Sequence, residues 1–129
     1  MIYEFCAENV TLLEKAMQAG ARRIELCDNL AVGGTTPSYG VTKAAVELAA
    51  NYDTTIMTMI RPRGGDFVYN DLEIAIMLED IRMTAQTGSQ GVVFGALTAD
   101  KKLDKPNLEK LIAASKGMEI VFHMAFDEL

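Results

Sequence analysis

The sequence predicts an α/β fold of the (β/α) TIM-barrel type, apparently truncated after its fifth strand. Three observations lead there. Five short β-rich runs, Ile2–Cys6, Arg23–Cys27, Thr55–Ile60, Gly91–Leu97 and Glu119–Met124, alternate with helix-period segments, a pattern that favours a parallel sheet with right-handed crossovers. Polar groups recur at alternate strand positions: Glu4 and Cys6, Glu25 and Cys27, and His123 two residues beyond Val121. Strands of a doubly wound sheet read instead as near-continuous apolar runs, whereas barrel strands carry polar groups near a functional mouth. Finally, no Gly-x-Gly-x-x-Gly loop follows the first strand, so the usual mark of a dinucleotide-binding sheet is missing.

The helices follow in order. Asn9 is a plausible cap for the first, which places Val10, Leu13 and Met17 at helical spacing and ends at Gly20. Ser38 caps a second, whose stripe is Val41, Ala44, Ala45, Leu48 and Ala49. Asn70 with Glu73 forms a capping-box start for the third, with Ile74, Leu78, Ile81 and Ala85 along one side. Pro106 suits the first turn of a shorter fourth helix and Gly117 its end.

The 129 residues are expected to form a single domain, 1–129, incomplete at its C-terminus. A full barrel needs about 200 residues or more, so roughly three strands and their helices have no counterpart here. An open barrel exposes two sheet edges and an apolar interior. The chain is therefore expected either to be a fragment of a longer protein or to self-associate as a homo-oligomer.

A net charge of −6 supplies no cationic excess for nucleic acid or an anionic membrane surface. No apolar run approaches the roughly 20 residues of a membrane helix, and the N-terminus does not read as a secretory signal. With only Cys6 and Cys27, reduced thiols and a cytoplasmic location are expected.

Four segments carry candidate chemistry. Cys6 and Cys27 fall at or near the ends of consecutive strands, which in a barrel are neighbours about 4.8 Å apart. Two thiolates suit Cu(I), and Met57 and Met59, sharing a face of the third strand, could add thioether sulfur. The competing reading is that all four are core fillers. Directly after the third strand, Arg61-Pro62-Arg63-Gly64-Gly65 offers two guanidinium groups beside a flexible Gly pair, suited to a small carboxylate or phosphate. Alternatively Arg61 pairs with Glu25 inside the barrel and Arg63 is solvated. The Gly33-Gly34-Thr35-Thr36 stretch of the second loop could offer backbone N–H groups to an anion, or serve as a turn before the Ser38 cap. His123, four residues before Asp127, could act as acid, base or third metal ligand, or be a core residue.

Arg23-Ile24-Glu25-Leu26-Cys27-Asp28-Asn29-Leu30 followed by Gly33-Gly34-Thr35-Thr36-Pro37-Ser38 resembles the most distinctive stretch of the CutC copper-homeostasis family. Met59 to Phe67, Gly91 to Leu97 and Phe122 to Asp127 resemble its further signatures, in order and across the chain. Met124 stands where the family pattern has Arg. The resemblance implies a (β/α)₈-type barrel, a cytoplasmic location, frequent self-association and a role in copper tolerance, with Cu(I) bound by Cys6 and Cys27 and no organic cofactor. The alternative is a metal-independent barrel enzyme. It would hold a small anion with Arg61, Arg63, Gly64, Gly65 and Asp127 and use Glu25 or His123 as acid or base.

Overall fold

The computed structural model describes residues 4–8, 10 and 12–122. Within them the chain runs β1 (Glu4–Glu8), α1 (Leu13–Gln18), β2 (Arg23–Cys27), a 3₁₀ turn (Leu30–Val32), α2 (Tyr39–Ala49), β3 (Thr55–Met59), α3 (Asp71–Thr87), β4 (Gly91–Phe94), α4 (Lys105–Ala114) and β5 (Glu119–Phe122). All neighbouring strands pair in parallel, in the order β1-β2-β3-β4-β5. A doubly wound sheet reverses its strand order at a switch point; here no reversal occurs, as in a barrel wound in one direction.

The helices start where their capping chemistry allows. Ser38 Oγ accepts the Val41 N–H at 3.1 Å. At α3 the capping box is complete: Asn70 Oδ1 accepts from Glu73 N and Glu73 Oε1 accepts from Asn70 N. Asp104 caps α4, with Pro106 in its first turn. The first helix differs from expectation. It begins at Leu13, after Leu12 at φ 60°, and Val10 is exposed; Asn9 lies outside the described residues. The buried faces of α2 and α3 are rotated slightly from the sequence stripes, onto Thr42, Ala45 and Ala49, and onto Ile74, Met77, Ile81 and Thr84.

Strand alternation divides the sheet into two faces. Ala7, Ile24, Leu26, Ile56, Ile60, Val92 and Phe94 point toward the helices. There they form two apolar clusters, one with α1 and α2, the other with α3 and α4. Thr58 is the polar exception, and its hydroxyl is paired with Ser89 Oγ at 2.9 Å. Cys6, Glu25, Cys27, Met57, Met59, Gly91, Val93 and Glu119 occupy the opposite face.

That second face is concave. The Arg23 guanidinium on β2 reaches the Glu119 carboxylate on β5 at 2.9 Å, although β3 and β4 lie between them. In a flat sheet these strands would stand roughly 14 Å apart. Curvature is helped by Gly91, because a β-carbon there would lie 2.4 Å from Met57 Cε and 2.5 Å from the Glu119 carbonyl oxygen. The missing side chain lets Met57 fill the concave surface, where it is fully buried.

Candidate metal-binding face

The two cysteines share the concave face at different heights. Cys6 is at the middle of β1 and pairs in register with Glu25; Cys27 closes β2 and pairs with Glu8. Cys6 is thus not at a strand end, as the sequence suggested, because β1 runs to Glu8 and not only to Cys6. Both thiols lie over the seam between β1 and β2. Cys6 Sγ is 3.6 Å from Glu25 Oε2, and Cys27 Sγ is 3.6 Å from the Ala7 carbonyl. Cys6 is exposed and Cys27 buried.

The loop 28–36 covers Cys27. Its base is pinned by a two-way bridge, Asp28 N to Thr35 O at 2.9 Å and Thr35 N to Asp28 O at 2.8 Å. Gly34, at φ +95°, lies so close that a β-carbon on it would stand 3.3 Å from Cys27 Sγ and 3.3 Å from Met59 Cε. The thiol, the thioether and the glycine backbone therefore meet at one point. Only glycine adopts this φ readily and leaves room for both sulfur side chains.

Burial pushes the Cys27 thiol up to about 11, and Cys6, Glu8, Asp28 and Glu25 add to the shift. An unfolded-chain thiol titrates near 8.5. The stability linked to this thiol is therefore whole below about pH 8.5 and is lost as pH rises toward 11. Urea denaturation at pH 8 and pH 10.5 should show an alkaline loss that Cys27→Ala reduces by about 2 kcal/mol.

The arginines are committed elsewhere. Arg61 is 3% exposed. Its guanidinium donates to the carbonyls of Val32 at 2.7 Å, Gly34 at 3.0 Å and Gly65 at 2.7 Å, and lies over the Phe67 ring. The suggested Arg61–Glu25 pair does not form: backbone carbonyls take Arg61 Nη1 and Nη2, Nε is buried without a hydrogen-bond partner, and Glu25 receives the Cys6 thiol instead. Nor is Arg63 simply solvated. It bonds Glu73 at 2.6 Å and Asp66 at 3.1 Å, and stacks on Tyr69. Its guanidinium lowers the Glu73 carboxyl, with help from the Asn70 N–H. Gly64 packs against Val32 with no room for a β-carbon, and Gly65, at φ +93°, presents its carbonyl to Arg61. The Gly33–Thr36 stretch forms a turn whose carbonyl at Gly34 faces Arg61 and whose Thr36 N–H and hydroxyl bond the Arg61 backbone.

His123, Met124 and Asp127 lie outside the described residues. Among the described residues, no three His, Cys, Asp or Glu side chains gather closely enough to hold a metal ion. A soft-metal site on this face would consist of the two thiols with thioether support. That donor set fits Cu(I) better than a harder cation. Sequence reasoning passed over Glu8, and it read Gly34 as part of an anion-binding or turn stretch and not as the cover of Cys27. Glu8 accepts the Leu30 N–H at 2.9 Å and ties the loop to β1. No helix among the described residues is long and apolar enough to cross a membrane.

Comparison with known proteins places this architecture. The chain is 55% identical over 129 residues to the CutC family protein of Streptococcus pyogenes serotype M6, and 54% identical to that of Enterococcus faecalis. It spans 62% of the length of each. The crystal structure of CutC from Streptococcus agalactiae superposes with a TM-score of 0.96 at 50% identity, over 100% of this chain and 61% of that one. The model of the CutC family matches residues 1–129, and the chain belongs to the CutC family.

Proposed function

We propose that the protein serves copper homeostasis by taking up Cu(I) on the concave face through Cys6 and Cys27, with Met57 or Met59 adding a thioether. The observation that carries this reading is the strand register, which gathers four sulfur-bearing side chains on one face of three adjacent strands. The family supports it, since the Streptococcus agalactiae relative is named for copper homeostasis. Cytoplasmic location and self-association belong to the same reading. Two reduced thiols suit a reducing compartment.

The alternative, an enzyme holding a small anion at Arg61 and Arg63 with Glu25 or His123 as acid or base, needs more rearrangement. An anion there must displace three carbonyls from Arg61, or Glu73 and Asp66 from Arg63. The sulfur-lined face is therefore preferred.

Anaerobic Cu(I) titration against a competing chelator tests the proposal. The reduced protein should bind at least a hundredfold more tightly than the Cys6→Ser/Cys27→Ser variant, a difference of about 2.7 kcal/mol. Affinity should rise between pH 6 and pH 9, because each thiol must surrender a proton to the metal. Equal affinity in both proteins would refute the thiolate site.

A further inference from the structure

We propose that Arg61 is a positioning residue that latches the loop 28–36 over Cys27, so that access to this thiol is controlled by the guanidinium and its carbonyl partners. The tip of the loop has little apolar anchorage of its own. Leu30 and Val32 are each 43% exposed, and no residue of the Leu30–Val32 turn is buried. A segment with few buried apolar contacts opens at low free energy unless polar contacts hold it. Beyond the turn's own backbone bonds, the hydrogen bonds among the described residues that tie the tip to the rest of the fold are Glu8 on the Leu30 N–H, and Arg61 on the Val32 and Gly34 carbonyls.

Arg61 is built for the task. Its planar fork spans two loops at once, because the third carbonyl belongs to Gly65 in the segment after β3. The backbone beside it is held by Thr36, whose hydroxyl accepts the Arg61 N–H at 2.8 Å. The carbonyl it grips on Gly34 belongs to the residue seated on Cys27 Sγ and Met59 Cε. Releasing Arg61 thus frees a residue that sits against the thiol. A lysine there keeps the charge but loses the fork that reaches both loops.

The test is thiol labelling by N-ethylmaleimide, followed by intact-mass spectrometry, in a Cys6→Ser background that leaves Cys27 as the single cysteine. Arg61→Lys should label at least tenfold faster than the Arg61 parent. A core variant of matched stability remote from the loop, such as Ile81→Val, should label at the parent's rate. Equal acceleration in both would overturn the latch, since global unfolding would then explain the access. If Arg61→Lys does not fold, the urea dependence of labelling in the Arg61 parent decides. A weak dependence at low urea, with amides of Gly33 and Gly34 exchanging at the same opening, supports a local latch. Labelling that follows the full unfolding slope overturns it. Because labelling reads the loop and not the metal, this inference and the copper proposal fail separately.

Discussion

Arg61→Ala is expected to lower stability by about 3 kcal/mol or more. The substitution leaves the carbonyls of Val32, Gly34 and Gly65 without their donor in a site where the native side chain is almost wholly enclosed. Each buried acceptor left unpaired costs about 1–3 kcal/mol, and water entering the vacated space recovers part of that. The stacking on Phe67 is lost as well. Arg61→Met separates the contributions, because it restores packing volume but no donors. Its urea midpoint should stay close to that of Arg61→Ala. Recovery to the native midpoint would show that packing, and not the carbonyl fork, is what Arg61 supplies.

Gly91→Val is expected to cost about 3 kcal/mol, at the upper end of overpacking effects. A β-carbon on Gly91 meets the Met57 thioether at 2.4 Å and 2.6 Å, which a flexible side chain can relieve by moving. It also meets the Glu119 carbonyl at 2.5 Å, which belongs to β5 and can move only with the strand. The strain therefore falls on the β4–β5 seam and on the curvature that brings Arg23 to Glu119. Thermal denaturation should show the loss, and Met57→Ala in the Gly91→Val background should return only part of it. Full rescue by Met57→Ala would place the conflict in the side chain alone.

Much of the fold was legible because the strand code is local. β2 runs over the segment expected from sequence, and the alternation of Glu25 and Cys27 with Ile24 and Leu26 announced two faces with different solvents. The capping residues Ser38, Asn70 and Asp104 act through side-chain oxygens a few residues from their donors, so two of them, with Pro106, were visible in the sequence. Strand limits were less legible. β1 extends to Glu8 because β2 offers it partners that far. β4 stops at Phe94 because the following segment turns away, with Leu97 N bonding the Phe67 carbonyl.

The candidate site divides the same way. That Cys6, Cys27, Met57 and Met59 share a face follows from a period of two. That Gly34 returns to sit on Cys27 does not, because a loop's path depends on distant partners. Arg61 shows this best: its partners are backbone carbonyls, which every residue has, so no pattern of side chains could have named them. A search for charged partners pointed to Glu25 instead.

The most direct measurement is the copper K-edge absorption spectrum of the reduced, Cu(I)-loaded protein, beside that of the Cys6→Ser/Cys27→Ser variant. A metal held on the concave face gives a first shell of at least two sulfur scatterers, which the double variant loses. A shell of nitrogen and oxygen alone, or the same sulfur shell in both proteins, would contradict the assignment of copper to these thiols.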